Sequence, residues 1–469
     1  MEEPLHYLSI LDLSKLIKEK KISPVEVTEH LLGRIDAVDT ELKSYATVTA
    51  EMAMDQAQIA EQQIMSGDYL GFLHGVPIAL KDLCFTKGVR TMGGTAVLED
   101  FKPAYDATIV ERFRAAGAIL LGKLNLTEGA MAGYNPKREV PQNPWKEDHW
   151  PGASSSGSGV AAAAGLAYAT IGSDTGGSIR HPAAVCGTVG LKPTWGRVSR
   201  YGVLDLAQSL DHVGPLTRSA IDAGIIMQTI SGSDVNDPTA LLDPVPDMLM
   251  NVESGIKGIR IGWDSEYSSR DIEADFAMAV ADGLKIMSEL GAEIIEVSMP
   301  KKLREYMQAW PILCSSEAAF AHQEFYPERS EDYGLWFREW LRQGAGYSAI
   351  DYARAQESRQ ECNGALMGTM DGIDLLLCPS TPRAAYPYTE KNAYGPIPQN
   401  RDPWDSRFTV PMDFSGLPTI ALPCGLNSNQ LPLSLQLVGN RYRNRYLCKR
   451  EQLFSPRQIF TNSVLLGGS

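Results

Sequence analysis

The stretch from Trp150 to Ala184, WPGASSSGSGVAAAAGLAYATIGSDTGGSIRHPAA, is built mostly of Gly, Ser, Ala and Thr, a composition that suits either a loose linker or a place where main chain must come close to a bound group. A linker of that kind does not carry an Asp174, an Arg180 and an apolar run inside it. A phosphate cradle would need G-x-x-x-x-G-K-[ST] or G-x-G-x-x-G, and neither is present. A histidine-assisted serine hydrolase would place its nucleophile in G-x-S-x-G. Neither Ser154 nor Ser178 sits in one, and the seven histidines (6, 30, 74, 149, 181, 212, 322) offer no partner by spacing. His181 fits a structural or pocket-lining role better than a triad role. Zinc hydrolysis lacks H-E-x-x-H or a Cys/His pairing. What remains is a serine nucleophile with a lysine base. That chemistry requires a lysine kept neutral near pH 7 by burial, since desolvation disfavours the ammonium. Lys81, closing the apolar run GVPIALKD, is the candidate, although a lone strand-end lysine is ordinarily a solvated cap.

The whole chain constrains what can position such a site. With 469 residues, 44% hydrophobic, 21% charged and no long single-sign run, it reads as one ordered body, a single domain over 1–469. The net charge of −14 disfavours nucleic acid and anionic membrane surfaces as partners. The first residues include two acids and no basic segment followed by an apolar run, and no apolar run reaches the ~20 residues of a spanning helix. A soluble, cytoplasmic protein is expected. Seven scattered cysteines (84, 186, 314, 362, 378, 424, 448) at no metal-ligand spacing suit reduced, buried thiols.

Periodicity supplies the elements. ISPVEVTEHLLGRIDAVDTEL has Ser23 as N-cap, Pro24 in the first turn and Glu26 completing a capping box, with Val27, Leu31, Ile35 and Val38 on one face. DATIVERFRAAGAILLG and DFAMAVADGLKIMSELGAEIIEV repeat one pattern, an amphipathic helix, a terminating Gly117 or Gly291, then a short apolar strand. GVPIALKD, AYATIGSD, GIRIGWD, DLLLCPS, TIALPCG and LPLSLQLVG read as further strands, several apolar throughout as strands covered on both faces are. The fold class is α/β, a large sheet core with helices on both faces. Ser231 to Asp247 reads as a surface excursion.

GVPIALKD, PGASSSGSG and GSDTGGSIRHPAAVCGTVGLKPTWGRVSRYGV, together with SLDHVGPLTRS, closely resemble the amidase signature family over about Ser9 to Gly439. The resemblance implies a large mixed sheet and a Ser-cisSer-Lys triad in a catalytic core of about 70–220. It carries the nucleophile onto Ser178, the bridging serine onto Ser154 after a cis Ala153–Ser154 peptide, and the base onto Lys81. Lys81 would take the Ser178 proton through Ser154, and an acyl-enzyme on Ser178 would follow. Backbone N–H groups of Thr175, Gly176, Gly177 and Ser178 are expected to hold the oxyanion. Ser155, Asp174 and Arg180 are expected as supporting residues. Met131, Ala132, Gly133 and Tyr134 are substrate-binding candidates. The segment from Trp310 to Trp340 would cover the entrance, its aromatics being mostly core.

The resemblance implies an amidase whose substrate is a small-molecule amide or carbamate, aryl amides, esters and urethanes among the candidates, with no cofactor and no metal. It leaves room for a homodimer. One branch is the glutamine-hydrolysing component of glutamyl-tRNA amidotransferase, which reads the glutamine amino group with an acid where this chain has Ser406, Asp405 lying one place off. Arg359 matches that branch's carboxylate-binding position. The basic tail Arg441 to Ser469 departs from the family pattern.

Overall fold

The computed structural model describes residues 3–440 except 251, 253, 400 and 401, so the atypical tail lies outside the described residues. Eleven strands form one mixed sheet. They are β1 (Tyr45–Val48), β2 (Pro77–Lys81), β3 (Ile119–Leu124), β4 (Ala169–Asp174), β5 (Val189–Lys192), β6 (His212–Thr217), β7 (Arg260–Trp263), β8 (Glu293–Glu296), β9 (Leu375–Pro379), β10 (Thr419–Leu426) and β11 (Pro432–Gly439). Their order is β1-β3-β2-β4-β6-β5-β10-β11-β9-β7-β8. β2 runs parallel to both β3 and β4, whereas β4 and β5 are antiparallel to β6. Strands β2 to β6 are buried along their whole length, which accounts for the nearly continuous apolar runs of β2 and β3.

The helices follow their local signals. Ser23 caps Pro24–Leu42 with the full capping box to Glu26. Gly117 and Gly291, at φ +72° and +92°, terminate the helices Thr108–Ala115 and Ala274–Glu289 ahead of β3 and β8. Three strands escape the period-based reading. β6 carries Gly214 and Pro215 in its interior yet is paired on both sides, an arrangement that proline normally argues against. β1 and β5 are four residues each, too short for a pattern to show.

The small residues between Trp150 and Ala184 are ordered. Ser156–Ala163 is a buried helix that leads into β4. A Cβ on Gly157 would stand 2.4 Å from the Ser44 carbonyl oxygen and 2.7 Å from the Asn125 nitrogen, so only glycine lets that helix approach the neighbouring main chain. The segment 231–247 forms no regular element beyond a single bridge at Ser231 and carries the highly exposed Val235 and Leu242.

Candidate active site

β2 and β4 are parallel neighbours with Leu80 opposite Ile171, so Lys81 and Ser173 come together at the ends of adjacent strands. Lys81 is completely buried, and its Nζ lies 2.7 Å from Ser154 Oγ, 2.9 Å from Ser155 Oγ and 2.9 Å from Ser173 Oγ. Burial pulls its pKa down to about 7, against the weaker pull of Cys84, Asp211 and Asp174 in the other direction. Among the described residues no carboxylate forms an ion pair with it. A lysine ringed by neutral hydroxyls in this way can lose its proton near neutral pH.

Ser154 is fully buried and follows a cis peptide bond from Ala153. Ser155 is anchored to β4, its Oγ accepting from Ser173 N–H and donating to the Ser173 carbonyl, each at 3.2 Å. Its own N–H donates to the Ser178 carbonyl at 3.3 Å, which joins the two serine segments. Ser178 is half-buried and faces a cavity of about 360 Å³. Lys81 and Ser154 thus lie behind the cavity wall, and Ser178 lies on it.

The loop carrying Ser178 is tied down by charge. Asp174 accepts from the N–H groups of Gly177 (2.6 Å), Ile179 (3.0 Å) and Arg180 (3.3 Å), and from the Arg180 guanidinium at 3.0 and 2.9 Å. Burial opposes the charge on Asp174, but Arg180 outweighs it and holds the carboxyl well below the ordinary range. Arg180 continues to Asp413 Oδ2 at 2.7 Å and to the Thr409 carbonyl at 3.1 Å. The Gly177 amide is therefore turned to Asp174 rather than to the cavity, which corrects its expected place in the oxyanion hole and leaves Thr175, Gly176 and Ser178. Gly177 sits at φ +127° with the His181 ring where a Cβ would be, so no other residue fits there without strain.

Thr175 is fixed twice, its hydroxyl donating to Asp211 Oδ1 at 2.5 Å and its carbonyl accepting from the Trp310 indole N–H at 3.0 Å. Burial raises Asp211 to about 7, with Asp205 adding to the rise.

Met131, Ala132 and Gly133 line the cavity, but Tyr134 does not. Its side chain is buried and its hydroxyl donates to Ser156 Oγ at 2.8 Å, so Tyr134 braces the small-residue helix instead of facing substrate. Trp150 and Tyr386, stacked with centroids 5.2 Å apart, line the same cavity, as do the rings of His181, Trp310 and Trp336. Phe337 is core, packed against Gly129, while Phe320 is exposed. Ser173, Asp211, Trp150 and Tyr386 are additions to the residues expected. Ser173 lies hidden in an apolar strand, and the others are brought in by contacts distant in sequence.

The site so defined is a buried lysine in contact with serine hydroxyls, set behind a cavity that Ser178 lines. The chain belongs to the amidase family, whose profile matches residues 26–448. The chain is 40% identical over 457 residues to "Putative amidase AmiD" of Mycobacterium tuberculosis, covering 97% of this chain and 94% of that one. It is 38% identical over 466 residues to the A component of the glutamyl-tRNA(Gln) amidotransferase of Geobacter sp., covering 93% and 94%. A bacterial aryl acylamidase of the amidase signature family superposes with a TM-score of 0.88 at 25% identity, covering 98% of this chain and 99% of that one. The peptide amidase of Stenotrophomonas maltophilia superposes at 0.83 with 26% identity, covering 97% of each. These relatives place the chain among hydrolases that act on amides. Among the described residues no helix is long and apolar enough to cross a membrane, and no cluster of three metal-ligating side chains occurs.

Proposed function

We propose that the chain is a free-standing amidase that cleaves C–N bonds of linear amides, and related aryl amides, esters or carbamates, through an acyl-enzyme on Ser178. The observation that carries this reading is Lys81, buried, shifted to about 7 and 2.7 Å from Ser154 Oγ. In the neutral amine, two N–H groups point at Ser155 and Ser173 and the lone pair accepts the Ser154 hydroxyl proton. Ser154 in turn receives the proton of Ser178 as its Oγ attacks the carbonyl. The proton returns by the same route to the departing amine, and water then takes the place of Ser178 in the deacylation half. The N–H groups of Thr175, Gly176 and Ser178 stabilise the oxyanion, positioned by Asp174 and Asp211. Ser155, Asp174 and Arg180 support the loop and do not touch substrate. Met131, Ala132 and Gly133 receive the acyl portion in the cavity that Trp150 and Tyr386 also line, which favours a bulky aryl group over a small polar amide.

Glutamine fits this site less well. Arg359 donates to the Phe414 carbonyl at 3.1 Å and to Ser209 at 3.0 and 2.9 Å, a structural clamp, and Asp405 pairs with Arg383 at 3.1 Å. We place the protein in the cytoplasm as a single domain, working without cofactor or metal, without nucleic acid or membrane as partner, alone or as a homodimer. The test is amine release from aryl amides, a primary amide, glutamine and an aryl carbamate by the purified chain beside its Ser178→Ala variant. Turnover abolished by the substitution supports the reading. Inertness of the folded chain toward every substrate would transfer the case to a glutamine-hydrolysing component that depends on partner proteins.

A further inference from the structure

The catalytic cavity has a larger neighbour, about 770 Å³ in volume, on the outer side of Trp310. Trp310, Pro398 and Ser406 line both spaces. Trp310 is a fixed partition, since its indole N–H is bonded to the Thr175 carbonyl and its ring lies where a Cβ on Gly176 would stand, 2.7 Å away. On its outer side the ring meets Trp340, with centroids 5.8 Å apart. Beside this partition, the described residues of the loop 396–406 that border both spaces are Pro398 and Ser406, a proline ring and a single small hydroxyl side chain. Ser406 thus stands where the two spaces meet, and a longer side chain there would take room from them.

We propose that this outer chamber is a subsite for the far arm of an elongated, uncharged, aryl-bearing amide or carbamate, admitted past Ser406; the inference rests on the amide-hydrolase reading above. The lining sets the chemistry of the occupant. Leu335, Pro396, Ile397 and Pro398 present apolar surface, and the cations of the lining, Arg338 and Arg342, are already matched. Arg342 holds Glu339 through Nε and Nη2, both at 2.7 Å, and Arg338 pairs with Glu331. With each guanidinium already matched, a charged arm finds no unmatched partner among them, whereas a neutral aryl arm packs on the apolar lining and leaves the pairs intact. The inner cavity, about 360 Å³, lies near the lower end of the range roughly 300–1,000 Å³ typical of ligand sites, so it suits a single-ring amide, and the outer one extends its reach. Because Trp310 is bonded to the nucleophile loop, an arm packed on its outer face is held in register with Ser178. Ser406 is then the specificity-determining residue.

The experiment compares a one-ring acetanilide with two anilides lengthened by a neutral biphenyl arm, one on the acyl side and one on the amine side. Each is tested on the wild-type chain, Ser406→Phe and Ile397→Trp. For at least one long substrate, wild-type kcat/KM should exceed that of the short one by about tenfold or more, each substitution should remove that advantage, and in Ile397→Trp, whose side chain lines only the outer chamber, the short substrate should change less than about threefold. Equal treatment of short and long substrates by the wild type, or an equal loss on all three in both folded variants, would overturn the subsite. Equilibrium binding of the same compounds to Ser178→Ala, with and without Ser406→Phe, reads the subsite apart from the chemistry. Tighter binding of a long substrate that Ser406→Phe abolishes supports the subsite even if wild-type turnover is nil, the result that would sink the amidase reading alone. A terminal carboxylate on the long arm should weaken that binding by about tenfold.

Discussion

Lys81 and Lys192 are both fully buried, both stand at the ends of central strands, and both are drawn down to about 7 by desolvation. Their partners differ. Lys81 faces three serine hydroxyls, groups that can either give or take a proton. Lys192 donates to the carbonyls of Pro193 (3.3 Å) and Leu417 (2.7 Å) and lies 3.2 Å from His212 Nε2, within a closed group that includes Arg180 and Asp413. Carbonyls accept hydrogen bonds but pass no proton onward. A third buried lysine, Lys123, is paired with Asp82 at 3.3 Å and remains an ion-pair partner. Burial alone therefore does not make a base. What distinguishes Lys81 is its ring of serine hydroxyls close behind the cavity that Ser178 lines, whereas Lys192 meets two carbonyls and the buried His212 ring and acts as a strut beneath the loop.

The largest effects should separate Lys81 from the Lys192 strut. Ser178→Ala is expected to lower kcat by about 10⁴-fold or more in protein whose thermal unfolding is nearly unchanged, and Lys81→Met, which keeps most of the buried volume, by about 10³-fold. Lys192→Met should do the reverse. Loss of its donors strands the Pro193 carbonyl and the His212 nitrogen and leaves the Leu417 carbonyl only its bond from Thr419 Oγ1 at 3.3 Å, a cost of about 2 kcal/mol read by denaturant unfolding, while kcat of the folded variant stays within about tenfold of wild type. A fall in kcat of about 10³-fold for folded Lys192→Met would erase the distinction.

The acid limb of the pH profile sharpens it. Only neutral Lys81 accepts a proton, so kcat/KM should rise with pH through about 7 and then level off. Lys192→Met should leave that limb in place. Stability responds separately. Both lysines bind protons less readily folded than unfolded, so the unfolded chain holds more protons between about 7 and the ordinary lysine value of 10.5. Stability should increase with pH across that window, the penalty being complete below about 7, and Lys192→Met should flatten the increase. An acid limb that moves in Lys192→Met would make Lys192 part of the catalytic titration.

Sequence reading reaches the surroundings of Lys81 and not those of Lys192, for a physical reason. Lys81, Ser154 and Ser178 lie in continuous motifs, and the strands and helices around them carry local signals such as the Ser23–Glu26 capping box. Lys192, His212 and Asp413 meet only because β5, β6 and the helix Val410–Ser415 converge, and the Arg180–Asp413 bond spans 233 residues. No local pattern encodes that meeting. Tyr134 is misplaced by sequence because its neighbours do line the cavity and the chain direction alone does not say which way one ring turns. Gly177 is drawn into the oxyanion hole by the same reading because a run of glycines says that main chain is accessible, not where each N–H points.

Ser173 gives the smallest and most specific test. Its hydroxyl completes the ring around Lys81 Nζ at 2.9 Å, yet it is not on the route from Ser178 to the amine. An accepting oxygen stabilises the ammonium more than the neutral amine, because hydrogen bonds to charged groups are the stronger ones. Ser173→Ala should therefore lower the Lys81 pKa further, moving the acid limb of kcat/KM to lower pH by about half a unit to one unit. The plateau should fall by about three- to tenfold, since a less basic and less firmly held amine is a poorer acceptor. Ser173→Thr, which restores the hydroxyl, should return the limb toward its original position. A plateau that falls while the limb stays fixed would reduce Ser173 to a packing residue. The hydroxyl ring would then owe its proton-passing character to Ser154 and Ser155 alone.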